Sequence, residues 1–251
     1  MSGRKIMSRA YWLRGDVWVS GSAEEYFPFF DGKRHVISLV GGGGKSTLLA
    51  YLAQRFAARG MKTAIMTTTR MLCPEYVCKS IEDCRACWTR GEIAACGEKT
   101  ENGKFRAPEQ ALLDQLLEEA DAIIIEADGA HRLACKAPAE HEPVILPESD
   151  VVIGVMGLEV MGGEVGTVCH RPEHVCALLG CEMDHCLTAQ DMARIFVSDK
   201  GSRKNVGDRA FYTVLNKCDD TRRLDNGMQV VRELAALGQQ NAVLTAFTRA
   251  R

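Results

Sequence analysis

Lys45 and Ser46 follow four consecutive glycines, Gly41, Gly42, Gly43 and Gly44, and Thr47 comes directly after them. Glycine has no Cβ, so its backbone N–H can turn toward an anion with no side chain in the way. A lysine closing such a loop can neutralise the β- and γ-phosphates of a nucleotide, and the serine hydroxyl beside it can bind Mg²⁺. The full pattern G-x-x-x-x-G-K-[ST] would put glycine at position 39, where this chain has Leu39, so the cradle is shorter than that pattern. Its flanks supply the context the motif needs. His35 to Val40 reads as a buried parallel strand, and Leu48, Leu49, Leu52, Ala53 and Phe56 recur at helical spacing. The helix N-terminus adds a dipole that favours an anion. A plain strand–helix turn needs one glycine, not four followed by Lys-Ser.

Two carboxylates stand ready for the metal of a magnesium nucleotide. Ile123, Ile124 and Ile125 carry the chain through a sheet and deliver Glu126, Ala127, Asp128 and Gly129 at its edge. Glu126 and Asp128 are two residues apart, on one side of an extended chain. Either could bind Mg²⁺ directly or through water, and the glycine after Asp128 favours Asp128. Thr67, Thr68 and Thr69 end another strand at the same edge, where a hydroxyl such as that of Thr68 could reach Mg²⁺ or the γ-phosphate.

Asn216, Lys217 and Asp219 form an N-K-x-D pattern after the strand Tyr212 to Leu215. An ionised aspartate only accepts hydrogen bonds. Guanine offers it paired donors, whereas adenine presents an acceptor and would leave the carboxylate unpaired. The lysine stem can cover the base face. The order cradle, acid, N-K-x-D points to GTP, with ATP as the rival.

The elements that must position these groups alternate. After the first strand and helix come a strand over Lys62 to Met66, a helix over Pro108 to Ala120, and strands over Ala122 to Ile125 and Asp150 to Val155. A helix capped by Thr188 follows, then a strand over Ala210 to Leu215, a helix over Asp225 to Leu237, and a strand over Ala242 to Thr245. Such alternation predicts an α/β, doubly wound, mostly parallel sheet of P-loop NTPase type, with ligands at the strand ends. Residues 1–34 read as an N-terminal extension packed on the core, with an edge strand at Val17 to Val19. Residues 35–251 read as one domain. An irregular Cys-rich insertion occupies about 73–107, with a hairpin around Asn102 and Gly103.

The 251 residues carry a net charge of −2, which gives no basic footprint for nucleic acid. No apolar run approaches the length of about 18 residues that a membrane span needs. Residues 1–14 lack the apolar core of a signal peptide. The eleven cysteines then read as reduced thiols in a cytoplasm.

These residues together resemble the selenium-dependent hydroxylase accessory proteins of the YqeC-like family. The run from Glu126 to Ile145 is the strongest mark, joined by the short glycine cradle, Gly154 to Leu158, His170 to Pro172, and Asn216 to Asp219. The likeness covers nearly the whole chain from about residue 35. It implies a P-loop NTPase fold and a role in maturing selenium- and molybdenum-dependent hydroxylases, so the implied partner is such a hydroxylase or its cofactor machinery. Read from its residues, the same run places Arg132 and Lys136 where they could meet phosphate or an anionic substrate, and His131 where it could position an attacking water. His141 and Glu142 lie in a dense charged loop. His170 and Arg171 precede Pro172, and Arg171 could bind an anion. Lys45, Asp128 and His131 are the candidate catalytic residues.

Cys73, Cys78, Cys84, Cys87 and Cys96 crowd one segment, but Cys84 and Cys87 form a single C-x-x-C. A zinc ribbon wants two such pairs, and Cys73 with Cys78 are loosely spaced candidates for the second. Cys176, Cys181 and Cys186, with His170, His174 and His185, make another cluster. Three functions compete on these residues. The first is a GTP-dependent accessory factor, slow in turnover because no arginine finger or catalytic glutamine is marked. The second is an ATP-dependent small-molecule kinase. The third is a thiol or metal carrier gated by nucleotide.

Overall fold

The computed structural model describes residues 5–101 and 103–249. Along the chain, β1 (Ile6–Arg14) and β2 (Val17–Gly21) precede the short helix α1 (Ala23–Tyr26). Then come β3 (His35–Gly41), α2 (Lys45–Ala57), β4 (Thr63–Thr67), β5 (Arg70–Leu72), α3 (Ile81–Thr89), β6 (Ala94–Ala95), β7 (Glu98–Lys99) and β8 (Lys104–Arg106). The middle of the chain forms α4 (Gln110–Glu119), β9 (Ala122–Glu126), β10 (Cys135–Lys136) and β11 (Val151–Gly157). It continues through α5 (Val165–Val168), β12 (Cys169–His170), α6 (Pro172–Leu179) and α7 (Ala189–Val197). The last elements are β13 (Ala210–Asn216), α8 (Thr221–Ala236) and β14 (Ala242–Arg249).

A nine-stranded sheet runs in the order β2-β1-β14-β13-β11-β3-β9-β4-β6. Every neighbouring pair from β14 to β6 is parallel. The β14–β1 and β1–β2 pairs are antiparallel, so β1 runs against the other strands as the sheet extends past β14. Both faces are covered, because side chains alternate along each strand. In β3, Ile37 and Leu39 pack with Leu48, Leu49, Leu52 and Phe56 of α2. Burying each of those α2 side chains is worth about 1.5–3 kcal/mol, and together they seat the helix whose first turn carries Lys45 and Ser46. On the opposite face, Ile123 and Ile125 of β9 meet Leu112 and Leu116 of α4, while Leu215 and Leu244 meet Val230 and Leu234 of α8. This is the α/β architecture of a P-loop NTPase.

Several elements differ from their sequence reading. Residues 73–107 hold α3, β6, β7 and β8, so the segment is structured. Ser80 caps α3 and Asp83 closes a capping box, and β6 adds to the edge of the main sheet beside β4. β7 and β8 pair antiparallel across the turn read at Asn102 and Gly103; Asn102 itself lies outside the described residues, as do the outermost residues of the spans 1–34 and 35–251. Helix α4 starts at Gln110 with Glu109 as N-cap, so Pro108 precedes the helix rather than opening it. Helix α8 starts at Thr221, where the Asp220 side chain accepts from the Arg223 N–H at 2.8 Å. Residues 5–34 supply β1, a nine-residue strand with no counterpart in the sequence reading. Phe27 and Phe29 are buried under the sheet beside Phe56.

Candidate functional site

The C-terminal ends of β3, β9 and β13 meet at one point, and each delivers part of the site. Leaving β3, the backbone takes positive φ at Gly41, Gly43 and Gly44. Each glycine of the loop faces a close neighbour. A Cβ would stand 2.3 Å from the Val155 carbonyl at Gly41, 2.5 Å from the Leu133 carbonyl at Gly42, 2.2 Å from the Gly157 nitrogen at Gly43 and 2.1 Å from Asn216 Nδ2 at Gly44. The loop is therefore braced on all sides, which explains why four glycines are needed where a turn requires one.

That bracing occupies most of the glycine amides. Gly41 N–H donates to both Asp128 oxygens at 3.1 and 3.0 Å. Gly42 N–H donates to Val155 O at 2.8 Å and Gly43 N–H to Leu133 O at 3.3 Å. Among the described residues, the N–H groups of Gly44, Lys45 and Ser46 have no backbone acceptor. The bare amides expected over the whole glycine run are thus confined to the first turn of α2, where the helix dipole is positive.

Around this turn lies a buried chain of alternating charges. Lys45 Nζ pairs with Asp128 Oδ1 at 3.0 Å and also donates to the Gly41 carbonyl. The other Asp128 oxygen pairs with Lys136 Nζ at 3.2 Å. Lys136 continues to Glu142 Oε2 at 2.7 Å and to the Gly129 carbonyl at 2.6 Å. Arg171 closes the chain on the same Glu142 oxygen. Burial alone would push the Glu142 carboxyl up, but Lys136 and Arg171 outweigh it and hold it down to about 2. Lys45, Asp128 and Lys136 are each at most 5% exposed, so this network is set in the protein interior rather than on a solvated face.

The two carboxylates of β9 have separate partners. Ser46 Oγ donates to Glu126 Oε2 at 3.0 Å, whereas Asp128 holds the lysines. Burial raises the Glu126 carboxyl above its usual range, against the pull of Lys45 and Ser46. Thr68 hydroxyl donates to Val144 O at 2.7 Å, which ties the strand end to the 126–145 run. Thr67 Oγ1 donates to the Glu126 carbonyl at 2.8 Å.

Asn216 joins the base-reading motif to the cradle. Its Nδ2 donates to Gly43 O at 2.9 Å, and its Oδ1 accepts from Thr245 Oγ1 at 3.2 Å. Lys217 has φ 65° and its ammonium pairs with Glu159. Asp219 is exposed and pairs with Arg223 at 3.1 Å.

His131 and Arg132 both have positive φ, at 47° and 65°, and are exposed. The His131 ring stacks on His170 with centroids 4.6 Å apart. His170 lies next to the charge chain, and burial with the nearby Arg171 and Lys136 cations lowers its pKa. Its Nε2 is buried without a hydrogen-bond partner among the described residues. Arg171 also has positive φ, 55°, at the N-cap of α6. His141 is exposed beside buried Glu142. Sequence reasoning did not single out Asp128 as the partner of two lysines, nor Leu133 and Val155 as the braces of the loop.

In the second cysteine–histidine group Cys176 and Cys181 lie together, but the histidines go to separate partners. His185 Nε2 bonds Asp191 at 2.8 Å, His174 Nδ1 lies 3.2 Å from Pro138 O, and Cys176 contacts Met183. Among the described residues, no three histidine, cysteine or carboxylate side chains stand as they are in an arrangement to hold a metal ion. Among the described residues, no helix is long and apolar enough to cross a membrane.

Comparison with known proteins gives two matches. The family model described as "YqeC protein" matches residues 37–173. The uncharacterized protein YqeC of Escherichia coli strain K12 is 35% identical over 181 residues, covering 68% of this chain and 71% of that protein.

Proposed function

This chain belongs to the YqeC family, and from its site geometry we propose that it is a Mg²⁺-dependent, nucleotide-binding P-loop NTPase that prefers GTP. We further propose that it serves as an accessory factor in maturing a selenium- and molybdenum-dependent hydroxylase, the role that the family resemblance implies. One observation carries the nucleotide part. Lys45, Ser46, Glu126 and Asp128 converge at the start of α2, beside three amides that have no backbone acceptor among the described residues.

The residues fit a magnesium nucleotide. The Gly44, Lys45 and Ser46 amides would take phosphate oxygens. Ser46 and Glu126, already in contact at 3.0 Å, would hold Mg²⁺. The ion supplies charge neutralisation between the phosphates. Lys45 exchanges its carboxylate partner for phosphate when nucleotide binds, and Asp128 keeps its hold on Lys136 and the Gly41 amide. Asn216 fixes the loop through Gly43 O, and Asp219 accepts from the donor edge of guanine. His131, exposed and stacked on His170, orients water. Turnover is slow without a partner, because the sequence marks no arginine finger or catalytic glutamine.

A phosphotransferase is the second reading. It is favoured by Lys136 and Arg171, two cations that lie beyond Asp128 and could receive an anionic acceptor. Binding of GTP and ATP, each with Mg²⁺, at matched concentrations tests the first reading. Strong GTP preference supports the Asn216–Asp219 assignment. ATP preference, with transfer to a small acceptor, replaces it by the kinase. The accessory role is tested by isolating the hydroxylase from cells lacking this protein: unchanged selenium and molybdenum content would refute it.

A further inference from the structure

Four of the eleven cysteines meet inside the segment between β5 and α4. Cys78 precedes α3, Cys84 and Cys87 share one face of it at i and i+3 spacing, and Cys96 follows β6. Cys78 Sγ lies 3.7 Å from Cys87 Sγ, and Cys84 Sγ lies 3.4 Å from Cys96 Sγ. The Cys78 and Cys84 sulfurs also interact with each other, and Cys78 with Cys96. All four thiols are free and at most 2% exposed. The fourth member is Cys96 rather than the half-exposed Cys73 that the sequence spacing offered.

The backbone draws these four points together independently of the sulfurs. Cys78 N–H donates to Ala95 O at 2.8 Å, Cys96 N–H to Ile65 O at 2.9 Å, and Gly97 N–H to Cys78 O at 3.3 Å. Cys78 and Cys96 thus face each other as an isolated parallel bridge. A single buried cysteine is an ordinary small hydrophobe. Four sulfurs linked through Cys78 to Cys84, Cys87 and Cys96 and through Cys84 to Cys96, brought from a loop, a helix and a strand end, are not explained by packing, since an alanine or valine at each would fill such a core.

We propose that Cys78, Cys84, Cys87 and Cys96 form a structural zinc site that pins α3 and the edge strand β6 to the sheet. With zinc–sulfur bonds near 2.3 Å, the sulfurs of a tetrahedral site stand about 3.8 Å apart. The observed 3.4 and 3.7 Å contacts reach that spacing by opening a few tenths of an ångström. Those contacts leave room for one ion, not for a cluster of several irons and sulfides. The Arg90 guanidinium donates to Cys87 Sγ at 3.6 Å, the outer contact that orients and stabilises a thiolate ligand. Binding sends the displaced thiol protons to solvent. The site has a task, because β6 has two residues and forms the outer edge of the sheet. A strand that short has little hold of its own.

The test uses the full chain purified without a metal-affinity tag, and it does not depend on nucleotide binding. Elemental analysis should find about one zinc per chain, and X-ray absorption should find four sulfurs at about 2.3 Å. Zinc below a tenth per chain, iron in its place, or nitrogen and oxygen ligands would overturn the proposal. Cys84→Ser and Cys96→Ser should each cut zinc content at least tenfold, whereas Cys176→Ser, outside the cluster, should keep it. Because the first two variants can fail to fold, the unaltered protein gives a second readout. With zinc bound, iodoacetamide should leave these four thiols unmodified, and a chelator should open all four together. Equal labelling with and without chelator would also overturn it.

Discussion

Replacing Asp128 with alanine should cost more stability than replacing Lys45 with methionine, although lysine is the larger side chain. Asp128 is 2% exposed and holds two ammonium groups and one amide. Without it, Lys45 keeps the Gly41 carbonyl and the nearby Glu126 charge, while Lys136 keeps Glu142 and Gly129 O. Removing one partner of a buried ion pair costs about 3–5 kcal/mol. The orphaned Gly41 amide adds to this, and the surviving Lys136 contacts subtract from it, which leaves about 4 kcal/mol. At about 2–4 °C per kcal/mol for a chain of this size, Tm should fall by about 8–16 °C. In Lys45→Met the stem packing survives, and Asp128 still has Lys136 and the Gly41 amide. That loss should be about 1–2 kcal/mol, or roughly 2–8 °C. Thermal and urea unfolding of both variants without nucleotide would measure the difference. Salt should change it little, because the network is buried. Equal losses, or a larger loss for Lys45→Met, would show that Asp128 is not the centre of the network.

Lys45→Met should nevertheless abolish nucleotide binding, and full affinity in equilibrium titration would remove Lys45 from the phosphate site. Asp219→Asn should erode the preference for GTP over ATP while leaving Tm within about 1 °C, as expected for an exposed side chain; unchanged selectivity would exclude Asp219 as the base reader. Gly44→Ala puts a Cβ 2.1 Å from Asn216 Nδ2 at φ 125°, so it should both destabilise the fold and weaken nucleotide binding; near wild-type behaviour on both counts would show that the brace gives way. Glu142 has a folded pKa depressed to about 2 from an ordinary 4.5, so its stabilisation is present above that ordinary value and is lost as pH falls through about 2. Glu142→Gln should flatten the wild-type loss of Tm in that window, and parallel pH profiles would refute the assignment.

The cradle strand, its helix, the parallel order and the strand-end acids were legible because each rests on a local signal. A run of apolar residues, a 3.6-residue period and a block of glycines all lie within a few positions of one another. Strand β1 was not legible, because Ile6, Ala10 and Trp12 pack into the core on one face while Tyr11 and Leu13 pack against the core on the other, so both faces are apolar. The alternation that marks a half-buried strand is therefore missing. Helix α3 was obscured by its cysteines, which read as ligands before they read as a buried face, although Ser80 and Asp83 carry a capping-box signal. The link between Lys136 and Asp128 depends on the path of the chain over residues 129–136. No local pattern encodes that path.

The division of work between Glu126 and Asp128 follows from where β9 stops. Two residues apart on an extended chain, they would face the same way and compete for one ion. The strand ends at Glu126, and Ala127 N–H makes a last bond to Leu39 O at 2.9 Å. Beyond it the chain leaves the sheet plane, so Asp128 turns back onto the Gly41 amide while Glu126 stays beside Ser46. One carboxylate thus meets the hydroxyl and the other the ammonium groups. The same turn explains the short loop. With Asp128 already serving Gly41, and Val155 and Leu133 serving the next two amides, the donors that remain are those of Gly44, Lys45 and Ser46. A longer loop would add amides that this packing has no room to expose.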